Sequence, residues 1–436
     1  LPRATKTILE IAGKIQTATG KPPIIFLDLL PVTSALAKHW PETFRYAKKK
    51  SPFYREQFRG IKNIPRLEYL PTVDKKVLSE RNLDFLCVPR NQIAEIVTTS
   101  GTTGKPLLWL LTKNDIDRLA LNEKISFECA GVTPRDTVLI AVALDRCFIA
   151  GLAYWQGLQK LGCAVVRVGA SSARLVLEMI ERVRPTTIVA VPSFLNVIAG
   201  KANELKFDLK NSPVKKLICI GEPIRDSSFR LNNSGRAIEK TWHAKIFSTY
   251  GVTELANSLC ECSAGAGGHL HEDQLHLEIL DDVGNILPAG EIGEIVATTF
   301  GVEAMPLIRY RTGDCAALFS KKCQCGRTTP RLGPILGRKN QKLKFKGASL
   351  FPSTLQIVLE ETDGVENFVI IARAENELSD SIEILIHGGA NISSLREAIQ
   401  ARAKIVPQIR QVSLAEIEKL QLPPDARKRR TFVDLR

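Results

Sequence analysis

The chain has 436 residues, of which 44% are hydrophobic, and a formal net charge of +14. That length suggests two or three domains with an ample core, and ten cysteines spread along it exclude a small disulfide scaffold. No apolar run approaches a membrane span, so a cytoplasmic protein is expected, and the basic balance suits anionic partners without choosing among nucleotides, nucleic acid and acidic proteins.

The first residues carry Arg3, Lys6 and Lys14 without the apolar core and cleavage site of a secretion signal, so none is expected. Residues 1 to about 90 read as helical and irregular, punctuated by SPFYR at 51–55 and LPTVD at 70–74. Phe53, Tyr54 and Phe58 read as core residues under a helix start. The stretch 96–106, IVTTSGTTGKP, is an apolar strand feeding a loop of glycines and hydroxyls. Gly101 and Gly104 permit close backbone approach, and Thr99, Ser100, Thr102 and Thr103 can donate to an anion beside Lys105. The spacing is not that of a Walker loop, because two residues separate the glycines and Pro106 stands where a magnesium-holding hydroxyl is needed.

Beyond the loop, Asn114-Asp115 reads as the cap of a helix to about Cys129. Strands are predicted at 137–144, 163–169, up to Val191, near 215–221 and near 244–251, with helices at 151–161 and 172–183 between the first of them. Short β-branched runs separated by amphipathic helices imply βαβ units and a parallel sheet covered on both faces. Ligands of such sheets bind beyond the carboxyl ends of the strands. Gly221, Glu222 and Pro223 end one strand, and Tyr250-Gly251-Val252-Thr253-Glu254 ends another. Tyr250 can stack on a purine, Gly251 admits the ring, and Thr253 with Glu254 offers oxygens to a phosphate-bound Mg²⁺. The turn-rich GEIGEIV at 290–296 precedes YRTGD at 310–314, where an aspartate held by a glycine turn reads as an acceptor of hydrogen bonds. Around Gly337-Arg338 the text becomes polar and basic, and beyond it lies a small α/β unit with strands near 367–373 and 381–387 and a helix near 392–404. The boundary and hinge are expected there, giving domains 1–337 and 338–436.

In this order, TSGTTGKP, YGVTE and YRTGD resemble the motifs of the adenylate-forming superfamily of acyl-CoA ligases and adenylation domains. SPFYREQF followed by LPTVDK is similar to the N-terminal region of its phenylacetate-CoA ligase branch, which coenzyme F390 synthetase-like proteins also resemble. The resemblance implies an α/β fold with a large N-terminal adenylate-forming domain, parallel sheets flanked by helices, and a small mobile C-terminal α+β domain. It implies ATP-dependent activation of a carboxylate, for which an aryl or arylacetic acid is the leading choice, through an acyl-adenylate, followed by thioester formation with CoA. The resemblance places the loop 99–104 on the phosphates, Asp314 on the ribose hydroxyls, Arg338 among the nucleotide-binding residues, and Lys105, Glu254 and Lys428 in the catalysis. Lys428 is found by counting back from Val433 to Arg436; Arg427 and Thr431 depart from that motif, and Asn340 stands where relatives carry an aspartate. Phe148 and Tyr154 are candidate walls of the acyl pocket. The expected partners are a small-molecule acid, ATP and CoA, with a carrier protein or a homodimer as further options and nucleic acid as a minor one. Two alternatives stay open: adenylyl transfer to a cofactor or loading of a carrier protein, and a non-catalytic nucleotide-binding protein of the same fold.

His269, His271 and His276 cluster in sequence after Cys260 and Cys262, and Cys323-Gln-Cys325-Gly follows. Zinc takes four thiolate or imidazole ligands tetrahedrally. The resemblance favours Cys262, His269, Cys323 and Cys325 as a structural Zn²⁺ site, with Cys260 or His271 as replacement ligands and metal-free thiols as the other option. Cys87, Cys129, Cys147, Cys163 and Cys219 read as core thiols.

Overall fold

The computed structural model describes residues 34–99, 107–345, 348–376, 379–422 and 430–436. It opens with helices α1 (Ser34–Lys50), α2 (Pro52–Gln57) and α3 (Lys75–Glu80). Ser51 Oγ caps α2 by accepting the Tyr54 N–H at 3.3 Å, and Pro52 supplies the preset φ of a first turn. Phe53, Tyr54 and Phe58 are buried as expected. The Tyr54 hydroxyl accepts the Ile308 N–H at 2.8 Å, tying this region to the second sheet described below.

The antiparallel pair β1 (Ile93–Thr98) and β2 (Leu108–Thr112) leads into α4 (Lys113–Cys129). The cap is Thr112, not the expected Asn114-Asp115. Thr112 Oγ1 accepts the Asp115 N–H at 3.1 Å while Asp115 Oδ2 accepts the Thr112 N–H at 3.0 Å, a reciprocal capping box. Then follow β3 (Thr137–Ala141), α5 (Ile149–Leu161), β4 (Ala164–Arg167), α6 (Ala173–Val183), β5 (Thr187–Ala190), α7 (Pro192–Glu204), β6 (Lys216–Ile220), α8 (Asn233–Trp242), β7 (Lys245–Val252) and β8 (Asn257–Cys260). Their sheet runs β4-β3-β5-β6-β7-β8, parallel except for the last pair. Alternate strand residues serve two cores: Leu139, Ile188 and Leu217 pack with α6, α7 and α8, and Val138, Val189 and Ile218 pack with α4 and α5. A sheet buried on both faces explains the β-branched strand runs.

The second sheet is antiparallel rather than parallel. Its strands are β9 (Gly268–His269), β10 (Leu275–Leu280), β11 (Ile292–Thr299), β12 (Tyr310–Phe319), β13 (Arg331–Leu332) and β14 (Gly337–Arg338), in the order β10-β11-β12-β13-β9 with β14 also on β12. YRTGD is not a turn but the start of β12. Its glycine, Gly313, adopts φ +78° inside a bulge, where the register jumps between Glu294↔Cys315 and Val296↔Arg311.

The C-terminal part comprises β15 (Leu343–Phe345), β16 (Ala348–Leu350), α9 (Pro352–Glu361), β17 (Asn367–Asn376), β18 (Ser379–His387), α10 (Ile392–Ala403), β19 (Gln408–Gln411), α11 (Leu414–Gln421) and β20 (Phe432–Asp434). Its sheet runs β19-β18-β17-β20, with α9 and α10 covering one face and α11 the other, each over its own apolar cluster. Its links to the rest include the Arg236–Glu361 pair at 3.1 Å and the bond that Ser353 Oγ donates to the Leu336 carbonyl. Among the described residues no helix is long and apolar enough to cross a membrane. Cys147 is exposed, at φ +57°, whereas Cys87, Cys129, Cys163 and Cys219 are buried as expected.

Candidate active site

A cleft of about 1480 Å³ opens where the carboxyl ends of β3, β5, β6 and β7 face β12 and the C-terminal part. It collects most of the residues that the motifs single out. Gly221, Glu222 and Pro223 follow β6; Tyr250, Gly251, Thr253 and Glu254 lie on β7 and the turn after it; Asp314 and Arg338 come from β12 and β14. Gly221 sits at φ +72°, the left-handed backbone that lets the chain turn sharply off the sheet. Glu222 accepts from both the Ser193 N–H at 2.8 Å and the Ser193 hydroxyl at 2.6 Å, fixing this rim to the start of α7.

Asp314 faces the cleft with Tyr250 and Arg338. The Tyr250 hydroxyl donates to Asp314 Oδ2 at 3.0 Å, and Arg338 Nε stands 3.6 Å from Oδ1. Burial raises the Asp314 pKa, and Arg338 and the Tyr250 hydrogen bond oppose the rise. Glu254 is buried. Its Oε1 accepts from the Tyr310 hydroxyl at 3.3 Å and lies 3.3 Å from Lys75 Nζ. Sequence reasoning missed Lys75; the only signal was its place in LPTVDK, two residues beyond the contact in which the Val73 N–H donates to Arg309 O at 3.0 Å. Phe148 and Tyr154 both line the cleft, Phe148 partly exposed and Tyr154 buried. Thr99 is buried at the base of the glycine-rich stretch, where its N–H donates to Leu107 O at 3.1 Å and its Oγ1 accepts the Leu107 N–H at 3.2 Å. Ser100, Gly101, Thr102, Thr103, Gly104, Lys105 and Lys428 lie outside the described residues.

Away from the cleft, one ligating atom from each of Cys262, His269, Cys323 and Cys325 lies within 4.8 Å of all the others. Cys262 Sγ is 3.6 Å from Cys323 Sγ, and Cys325 Sγ is 3.5 Å from His269 Nε2. Those are close to the edge lengths of a tetrahedron of thiolates and imidazole around zinc, roughly 3.3–3.8 Å for metal–ligand bonds of 2.0–2.3 Å. His269 Nδ1 meets Thr329 Oγ1 at 3.0 Å, which aims Nε2 at the thiols. Burial and then Arg327 and Arg331 lower the His269 pKa to about 4, the neutral state a ligand needs. Burial opposes ionisation of Cys325, yet hydrogen bonds from Arg327 and the neighbouring thiols bring its pKa down to about 7. The donor set therefore fits zinc. The considered replacements are engaged elsewhere: Cys260 accepts from Thr249 at 3.2 Å, and His271 Nδ1 meets Asn122 at 2.6 Å.

The family described as AMP-binding enzyme matches residues 47–303. Phenylacetate-coenzyme A ligase of Thermus thermophilus is 30% identical over 351 residues, covering 77% of this chain and 77% of the relative. The chain belongs to the AMP-binding enzyme family, in its phenylacetate-CoA ligase-like branch. The enzyme's fold matches that of 2-hydroxyisobutyryl-CoA ligase in the post-adenylation state, with a TM-score of 0.78 at 21% identity over 92% of this chain and 89% of that one. Against the same ligase in its thioesterification state, over the same shares of both chains and at 22% identity, the score is 0.66.

Proposed function

We propose that the enzyme is an AMP-forming acid–thiol ligase that activates an aryl or arylacetic acid and passes the acyl group to CoA. The observation that carries this reading is one continuous cleft holding Tyr250, Thr253, Glu254, Asp314 and Arg338 beside an apolar lobe of Leu119, Val142, Ile149, Ala153 and Tyr154. A nucleotide and a carboxylate bound there would meet.

In the first half-reaction the carboxylate oxygen attacks the α-phosphorus of ATP and pyrophosphate leaves. In the second, the CoA thiol attacks the acyl carbon and AMP leaves. Neither step needs a protein nucleophile, so the chain's contribution is positioning and charge neutralisation. Asp314 accepts from the ribose hydroxyls, and Tyr250 stacks on the purine. Gly221, Glu222, Pro223 and Gly251 shape the rim, and Thr99 to Lys105 hold the terminal phosphates. Mg²⁺, when bound with the triphosphate, neutralises its charge. Glu254 Oε2 and Thr253 are the oxygens that would hold it, because Oε1 is engaged by Tyr310 and Lys75.

We assign residues 338–436 to a mobile lid hinged near Asn340, with Lys428 reaching the α-phosphate in the first half-reaction. Pro352, Ser353, Gln356 and Phe432 of that part line the cleft, in keeping with a lid over it. Lys428→Ala is expected to abolish acyl-adenylate formation while sparing thioester formation from supplied acyl-adenylate. The test of the whole reading is ATP–pyrophosphate exchange over a panel of aryl, arylacetic and short aliphatic acids, followed by CoA-dependent AMP release. Exchange with no CoA thioester would favour a carrier or cofactor acceptor. Nucleotide binding without exchange for any acid would mean a non-catalytic protein.

A further inference from the structure

Not every ionisable side chain that lines the cleft has a part in that chemistry. Glu123, in the third turn of α4, is 3% exposed and lines the cavity. Leu119, one turn earlier on α4, and Val142, Ala153 and Tyr154 line the same cavity, and Tyr154 and Cys260 are near enough to feel the Glu123 charge. Ser258 Oγ donates to Glu123 Oε2 at 2.8 Å, and Ser258 is itself held by Asn122 Oδ1, which accepts its N–H at 2.7 Å. Among the described residues no cation pairs with Glu123 and nothing bonds its Oε1. The Tyr154 hydroxyl also has no partner among them, and it stands near enough for the Glu123 charge to oppose its ionisation.

The position is deep. A Cβ built on Gly157 would fall 2.4 Å from the Glu123 Cβ, so Glu123 stands two turns into α5. Phe148 and Arg146, at the start of that helix, are exposed at the mouth. Two turns are about 11 Å, enough to put Glu123 on the floor of the acyl lobe.

Nor does the fold require a carboxyl there. The helix is already fixed by its capping box and by Arg118, which donates to Phe300 O at 2.7 Å, Ala256 O at 2.9 Å and Gln274 O at 2.7 Å. A half-satisfied buried carboxyl beside apolar surface is costly. Burial pushes its pKa up to about 8, against the lowering effect of Ser258, so at neutral pH it carries a proton and can donate as well as accept.

We infer that Glu123, with Tyr154 and Ser258, reads the far end of the acyl group, and that the acid carries an amino or hydroxyl substituent there. This rests on the ligase reading. A pocket built to hydrogen-bond a substrate group rejects the analogue lacking it, by up to roughly 10⁴–10⁵ in favourable cases. The test compares phenylacetate with its 4-hydroxy and 4-amino derivatives in ATP–pyrophosphate exchange, using the full chain and its Glu123→Gln and Glu123→Leu variants. The expected result is a kcat/KM at least about tenfold higher for a substituted acid. Glu123→Leu reverses that preference, and its melting temperature stays at or above the parent's because a buried carboxyl has gone. Glu123→Gln, which like the protonated carboxyl can both donate and accept, keeps the preference for the substituted acids. Equal or better use of phenylacetate by the parent, an unchanged ratio in Glu123→Leu, or a marked loss of stability in that variant overturns the inference while leaving the ligase reading in place. Failure of every acid in the wider panel overturns both.

Discussion

Asp314 is pulled two ways. Burial favours its neutral form, while Arg338 and the Tyr250 hydroxyl favour the ionised form, and burial prevails. Only the carboxylate can accept from both ribose hydroxyls, so nucleotide affinity should fall as pH drops through the raised pKa, beginning at a higher pH than an ordinary aspartate would give. Tyr250→Phe removes a hydrogen bond that stabilises the carboxylate, so it should move that loss to still higher pH. Asp314→Asn should make nucleotide affinity independent of pH in the same range. Asp314→Ala should weaken ATP and AMP binding alike by about 10- to 100-fold, as expected for hydrogen bonds to a charged group of about 1.5–3 kcal/mol. Calorimetric titration of AMP over the mildly acidic range checks each outcome. A variant impaired only in the thiol step would mean that Asp314 does not hold the ribose.

At the scale of elements, α4 forms a wall of the cleft, and its start is fixed by one side chain with two duties. Asp115 closes the capping box on Thr112, and it also accepts the Glu303 N–H at 2.7 Å and the Ala304 N–H at 2.9 Å. Loss of the carboxylate leaves three buried or half-buried backbone donors without partners. Asp115→Ala should therefore destabilise the enzyme by about 2–5 kcal/mol, read as a lower denaturant midpoint, whereas Asn114→Ala should change it far less. The contrast follows from position: Asp115 is 1% exposed, while the Asn114 side chain bonds the Glu303 carboxylate in an exposed setting.

Across the whole molecule, Cys262 in the loop after β8, His269 on β9, and Cys323 and Cys325 between β12 and β13 join the edge of the parallel sheet to the antiparallel one. A metal in that place would stabilise the joint between sheets without touching the reacting atoms. Protein purified without chelator should hold about one zinc per chain. Cys323→Ser should lower both metal content and melting temperature, and leave the rates of the two half-reactions unchanged per folded molecule. Metal analysis that finds none would leave the site as three thiols beside an imidazole.

The sequence by itself determined the alternation of β-branched runs with helices, and with it the parallel sheet and the strand ends where a ligand belongs. It also named the cleft residues that lie in motifs, among them Gly221, Glu222, Tyr250, Glu254 and Asp314, and the four residues of the zinc-type cluster. The sheet was legible because its signal is local, a run of Val and Ile reporting burial on two faces, whereas a Cys-Gln-Cys-Gly string fixes only two thiols on one turn and the full set of four came from the resemblance. Tertiary structure decided what depends on partners distant in the chain. The string YRTGD is compatible with a turn or a bulged strand, since Gly313 at positive φ serves either, and only its pairing with Glu294 and Val296 selects the bulge. Lys75 gains meaning only beside Glu254. Nor can helical periodicity tell whether the buried side of α4 at Glu123 meets a packed core or a cavity, because that depends on where α5 and β8 stop filling the space.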